Sequence, residues 1–256
     1  CPAKLLMLAT IGLSMTMELE TKGIVWSCLM PIKKHVKIGD CDLYLGDARE
    51  IVSGLNYASI VSDPPYGMSF VSNHRIDKHK AIENDGGVEH LQWACGLPAP
   101  HSKYIWMRWD NMRDIPQPKS MVTWLKNNHS MGDLEHEHGR KTEVCAFYNG
   151  PEHYFPNGRP VDVVFGTRTG NALHPTQKPV DLMRNVVEWT AGIVLDMYMG
   201  SGTTLVACAK LGRKGIGIEL DEDYFNIACK RVQEAYDQPD LFVEPPKPQP
   251  KQDDLF

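Results

Sequence analysis

The chain has 256 residues, of which 42% are hydrophobic and 23% charged, with a formal net charge of -5 at pH 7. That balance suits one large α/β domain with its own core, and it excludes collagen-like, coiled-coil and wholly disordered classes. It supplies no global positive field, so any nucleic-acid surface must be local.

Residues 1–33 read as an N-terminal extension of unassigned role. The apolar run at 5–17 (LLMLATIGLSMTM) falls short of the roughly 20 residues a membrane span needs. Lys4 ahead of it hints at a signal peptide, but the run is interrupted and no A-x-A-like site follows. Residues 34–46 alternate around Gly39-Asp40, which predicts a hairpin or two small strands, and 47–55 predicts a helical turn. Residues 58–62 (ASIVS) form a β-branched run that must stop at Asp63-Pro64-Pro65-Tyr66, because two prolines cannot continue a ladder. A polar loop over 67–87 and a helix over 88–96 are expected next. Further strands are expected at 104–109, 120–126, 142–148 and 161–165. From Lys178 onward a helix (179–190), a strand (192–197), a glycine turn (199–202), a helix (203–211), a strand (214–219) and a helix capped by Asp221 follow in order. This is a doubly wound, mostly parallel α/β sheet with an antiparallel edge. One main domain is expected over 34–236, with insertions at about 67–90 and 127–171, and a proline-rich flexible tail over 237–256.

Seven cysteines are scattered along the chain without a Cys-x-x-Cys pair, which points to a reducing, cytoplasmic setting. His129, Glu135, His136, Glu137 and His138 invite a metal reading, but their spacing matches no zinc pattern, so no metal is expected.

The segment Asp196-Met197-Tyr198-Met199-Gly200-Ser201-Gly202-Thr203-Thr204 joins a strand to a helix through two glycines. Glycines there let the backbone approach a ligand, and the helix N-terminus offers free N–H groups. Glu219 ends the next strand, 23 residues past Asp196, where a carboxylate can accept from a ribose diol. An adenosine-containing ligand suits this arrangement; a tight turn with a capping glutamate would read the same way. Leu205 stands at the third position of the dinucleotide pattern, and the lysine of a phosphate-binding loop is missing, which disfavours a dehydrogenase and an ATPase.

Asp63 offers a carboxylate beside the Pro64 carbonyl, and proline has no N–H, so this corner is rich in acceptors. Such a corner suits an exocyclic amine with two hydrogens to donate, and Tyr66 supplies a flat face for the ring. The bland alternative is a strand-ending turn with a surface tyrosine.

DPPY, then HPTQKP, then DxYxGSGTT and GIELDxxYxxxA resemble the S-adenosylmethionine-dependent amino-methyltransferases of DNA, over about residues 38–235. With the catalytic motif first, the order resembles the β group, a circular permutation of the common layout. The resemblance implies that Asp63, Pro64, Pro65 and Tyr66 hold a flipped base. It implies a cofactor pocket shaped by Asp196, Tyr198, Gly200, Gly202 and Thr203, with Glu219 on the ribose. His174, Thr176 and Lys178 border the cofactor's methionine end, Lys178 as partner of its carboxylate, and Asp47 contacts the adenine side or braces the site. TWLKNN followed by Glu143 resembles the region behind the target-base pocket. Where the pattern reads DPFxGSGTT, this chain has Met197 and Tyr198.

The implied activity is adenine-N6 methylation of double-stranded DNA, Asp before Pro-Pro-Tyr leaning that way. Cytosine-N4 methylation, an RNA or protein amine, and a catalytically silent DNA- or cofactor-binding relative are the alternatives. His74, Arg75, Lys78 and Lys80 are expected to face phosphates, extended by Lys126, Arg140, Lys141 and Arg168. Gln252, Leu255 and Phe256 close the chain in a sequence resembling the peptide by which bacterial DNA-processing proteins bind the replication sliding clamp. A clamp partner and a homodimer are further expectations, in a bacterial, prophage or phage-infected cell at the nucleoid.

Overall fold

In a computed structural model of the chain, residues 32–65, 87–128, 135, 136, 138–167 and 177–238 are described. They all fall within one compact unit, residues 31–256. The hairpin expected from the alternation is β1 (Ile32–Ile38) and β2 (Cys41–Gly46), turning at Gly39 with φ +55. It begins at Ile32, inside the stretch assigned to the N-terminal extension. Asp47 caps a short α1 (Ala48–Ile51), which tightens into a 3₁₀ turn at Val52–Gly54. β3 (Ser59–Ser62) is buried at all four positions. A strand covered on both faces reads as a continuous run rather than an alternation, which is why ASIVS looked as it did. α2 (Glu89–Gly96), β4 (Ser102–Met107), β5 (Ser120–Lys126), β6 (Thr142–Asn149) and β7 (Val163–Gly166) follow. α3 (Val180–Glu188), β8 (Val194–Asp196), α4 (Thr203–Lys210), β9 (Gly215–Glu219) and α5 (Glu222–Asp237) complete the order.

The nine strands run β1-β2-β9-β8-β3-β4-β6-β5-β7. β1 is antiparallel at one edge, as the hairpin requires. β6 is also antiparallel, inside the sheet between β4 and β5, and the remaining strands point one way. β6 and β7 therefore belong to the sheet, although they lie inside the stretch expected as a second DNA-facing insertion. Period-2 alternation divides the core. Leu43, Val61, Tyr104, Trp106 and Trp124 pack with α3, α4 and α5 on one face. Ile60, Ile105, Leu195 and Ile218 pack with α1 and α2 on the other. Fully burying a side chain such as Leu43 or Ile60 contributes about 1.5–3 kcal/mol, so both faces are firmly specified.

The topology fixes the position of any ligand site. β3 leads through α2 to β4 on one side, while β8 leads through α4 to β9 on the other. β3 and β8 are neighbours, pairing Ser59 with Val194 and Ile60 with Leu195. The crevice at their carboxyl ends is the switch point at which open α/β sheets bind ligands. Among the described residues no helix is long and apolar enough to cross a membrane.

Candidate active site

Two loops meet at that crevice, one from β3 and one from β8. Ser62, the last residue of β3, donates from Oγ to Asp196 Oδ1 at 2.7 Å and accepts from the Met197 N–H at 3.2 Å. The Tyr198 N–H donates to the same oxygen at 3.2 Å, and Thr204 Oγ1 donates to Oδ2 at 2.5 Å. Asp196 thus fastens strand, turn and helix to one another, and burial pushes its carboxyl up to about 6.

The turn itself bends through Gly200 (φ +50) and Gly202 (φ +79). A Cβ on Gly202 would lie 2.9 Å from the Cβ of Ala228 on α5. The close approach that demands glycine there is helix packing, not only ligand contact. Glu219 closes the turn from β9. Its Oε2 accepts from the Gly200 N–H at 2.8 Å, and its Oε1 from the N–H groups of Leu220 and Asp221 at 2.9 Å each. Burial outweighs these donors and pushes its carboxyl up to about 7. Asp47 lies beyond Leu45, which pairs with Glu219 across β2 and β9. It accepts from the Arg49 N–H at 2.9 Å and pairs with the Arg49 guanidinium at 3.0 Å, which holds its carboxyl below the usual range.

Arg231 on α5 grips the turn from behind. Its Nη1 donates to Ser201 O at 2.5 Å, Ser201 Oγ at 2.8 Å and Thr203 Oγ1 at 3.2 Å. Sequence reasoning missed it. The available signal was its place three residues after Ala228, which puts both on one helix face. Tyr198, at the position where the pattern has Phe, bonds His90 Nδ1 through its hydroxyl at 2.8 Å and meets Trp93 edge-on with ring centroids 6.4 Å apart.

Asp63 differs from its neighbours. Its Oδ2 accepts from Lys178 Nζ at 2.6 Å. Its Oδ1 is buried with no hydrogen-bond partner among the described residues. Burial raises its carboxyl above the ordinary range despite the lysine. Lys178 was expected at the cofactor's carboxylate, but its ammonium is engaged by Asp63 and, at 3.3 Å, by Glu143 Oε2. Lys126 was expected at the DNA surface. That is corrected: it is 7% exposed and paired with Glu143 at 2.5 Å. The burial pattern of β5 explains it, since Lys126 continues the inward phase of Val122 and Trp124. Lys141 is exposed and Arg140 half-buried. Tyr66, His74, Arg75, Lys78, Lys80, Arg168, His174, Thr176, Gln252, Leu255 and Phe256 lie outside the described residues. The carboxyl edge also carries exposed apolar residues that sequence reasoning passed over: Trp109 and Met112 in a 3₁₀ turn after β4, and Phe165 near the end of β7.

The family model described as DNA methylase matches residues 152–230, from before β7 into α5. The chain is 33% identical over 205 residues to the methylase YubD of Escherichia coli (strain K12), covering 70% of this chain and 84% of that protein. The chain belongs to the DNA methylase family. It is 29% identical over 198 residues to the type II methyltransferase M.HindIII of Haemophilus influenzae, covering 73% of this chain but 63% of that longer protein. Among solved structures, the M1.HpyAVI–SAM complex superposes with a TM-score of 0.59 at 24% identity, covering 75% of this chain and 98% of that one. The cytosine-N4-specific PvuII DNA methyltransferase superposes with 0.54 at 15%, covering 77% and 91%. These two establish the Rossmann-like methyltransferase fold. The chain is thus a β-class DNA amino-methyltransferase, whose cofactor is S-adenosylmethionine. The glycine turn fits that ligand: among the described residues Glu219 Oε2 has one donor, the Gly200 N–H, and keeps acceptor capacity for a hydroxyl.

Proposed function

We propose that this methyltransferase acts on the N6 amine of adenine in DNA. The observation that carries the reading is the buried Asp63 Oδ1, which has no partner among the described residues while Lys178 fixes the other oxygen of the same carboxylate. An amine conjugated into a ring is a weak nucleophile. A carboxylate oxygen and the Pro64 carbonyl, accepting its two hydrogens, favour electron density on nitrogen as the new bond forms. Bound S-adenosylmethionine supplies the electrophilic methyl group. Asp196, Glu219 and Arg231 keep the glycine turn rigid beside Asp63, so much of the rate comes from positioning. A paired base cannot reach a buried crevice, so the target is flipped out of the duplex. Trp109, Arg113, Arg140 and Lys141 are assigned to the DNA-facing surface, and His74, Arg75, Lys78 and Lys80, outside the described residues, are assigned to phosphate contacts from their sequence.

Transfer of tritiated methyl from S-adenosylmethionine to unmethylated DNA, followed by nucleoside analysis, tests the reading. Label in N6-methyladenine is expected. Label in N4-methylcytosine would move the assignment to the other exocyclic amine, and no transfer would overturn it. The C-terminal Gln252, Leu255 and Phe256 are proposed to engage the sliding clamp; equal clamp binding after removal of residues 252–256 would refute that.

A further inference from the structure

Asp63 is one end of a row of charges, its lysines buried and its carboxylates half-buried. Its Oδ2 lies 2.6 Å from Lys178 Nζ, Lys178 Nζ lies 3.3 Å from Glu143 Oε2, and Glu143 Oε1 lies 2.5 Å from Lys126 Nζ. The signs alternate, and both lysine side chains are 7% exposed. Two indoles wall the row: Lys178 Nζ stands 5.5 Å from the Trp106 ring centroid and Lys126 Nζ 5.1 Å from that of Trp124. Strand register builds this arrangement. Glu143 pairs with Trp124, Cys145 pairs with both Trp106 and Val122, and Lys126 follows Trp124 by two. Paired residues and i, i+2 residues share a face, so these side chains belong to the side covered by α3, α4 and α5.

Buried ion pairs are weak devices for stability, since apolar residues of similar volume often serve as well or better. This row has a different consequence. The Lys178 ammonium is shared between two carboxylates. How fully it serves Asp63 depends on how strongly Glu143 draws it away, and that depends on Lys126. We propose that Glu143 and Lys126 are positioning residues for methyl transfer that act through Lys178: Glu143 draws on the ammonium it shares with Asp63, Lys126 limits that draw, and the balance sets how the Asp63 carboxylate is held with its second oxygen open to the amine. The inference rests on the function proposed above.

Among the described residues, the charged and titratable groups facing Asp63 are Lys178 ahead of α3, Glu143 and Cys145 on β6, and Asp196 on β8. Lys178 favours the ionised carboxylate, while burial and Glu143 disfavour it. Glu143 itself is held below the ordinary carboxylate range by its two lysines, so it is charged at neutral pH. Removing its charge therefore lowers the pH at which Asp63 protonates. Removing Lys126 leaves Glu143 with Lys178 alone, loosens Lys178 from Asp63 and raises that pH.

The test is single-turnover methylation of unmethylated genomic DNA by the full chain across pH 5 to 9, with cofactor binding measured by calorimetry. E143Q should move the acidic limb of the rate profile down by about one unit, with cofactor affinity within about twofold of the parent. K126M should move the limb up in the native background and leave it unmoved in the E143Q background, because Lys126 acts only through Glu143. An unmoved limb in E143Q, or an equal K126M shift in both backgrounds, would overturn the proposal. Should E143Q fail to bind cofactor, K126M alone decides: an upward shift supports the inference and an unchanged limb refutes it. Absence of transfer by the parent protein would instead refute the proposed function.

Discussion

The glycine turn and the catalytic corner sit side by side at the ends of β8 and β3, yet they treat their carboxylates in opposite ways. At the turn, Asp196 and Glu219 are met by neutral donors: Ser62, Thr204 and the N–H of Tyr198 for one, three backbone N–H groups for the other. Those carboxylates shape the backbone. At the corner, among the described residues, Asp63 is met by one charged donor on one oxygen and by none on the other. A buried acceptor left open costs stability, and it persists where an incoming ligand completes it. On the function proposed above, the difference separates a carboxylate that shapes the turn from one that meets the reacting amine.

The largest effect is expected from Asp63→Ala. It removes the open acceptor, so turnover should fall by about 10²–10⁴-fold, the range for losing one positioned proton-accepting or transition-state group. Cofactor affinity should stay within a few-fold, because the turn does not depend on Asp63. Titration calorimetry beside the methylation assay checks both halves; an equal loss of binding and turnover would erase the contrast drawn above. Gly202→Ala probes the other side. It places a side chain at φ +79 and against Ala228, and should lower stability by about 1–3 kcal/mol, read as a depressed thermal midpoint and weakened cofactor binding.

The same contrast explains what could be read from the sequence. Elements whose signals are local were legible. The continuous apolar run of β3, the Asp221 cap of α5, Pro179 ahead of α3 and the two glycines each act within a few residues. Their neighbours in space were not legible. Nothing local says that β6 enters antiparallel between β4 and β5, and it is this pairing that sets Glu143 beside Lys126. The expected surface role of Lys126 failed for that reason, and the same register sets Glu143 beside Lys178. A basic residue near a DNA-binding loop reads as a surface charge until register supplies a half-buried carboxylate for it. For Lys126 the inward phase of β5 was available as a warning.

A milder separation is expected from pH. Burial raises Glu219 to about 7 from an ordinary value near 4.5. The folded protein then holds a proton that the unfolded chain has already released. Its contribution to stability is full below about pH 4.5 and is lost as pH rises through about 7. Replacing it by Gln removes that dependence, although the amide also turns an N–H₂ toward backbone donors. The thermal midpoint of Glu219→Gln should therefore lie furthest below the parent's at acid pH and approach it by pH 8. A constant gap between the two across that range would show that Glu219 is already ionised when the apo protein is at pH 5.

The smallest effect is expected where the two regions touch α2. Tyr198 stands at a position where the family pattern has phenylalanine, and its added hydroxyl is bonded to His90 Nδ1 at 2.8 Å. Burial and the Arg49 charge lower the His90 pKa, so the ring is neutral at pH 7 and shares one hydrogen bond with the phenol through Nδ1. Tyr198→Phe keeps the ring that faces Trp93 and loses one hydrogen bond, a change of about 0.5–1.5 kcal/mol. The thermal midpoint should drop by a few degrees, while turnover and cofactor affinity stay within about threefold of the parent. A loss of turnover comparable to that of Asp63→Ala would mean that the link through His90 to α2 belongs to the catalytic corner, not to the wall of the cofactor pocket.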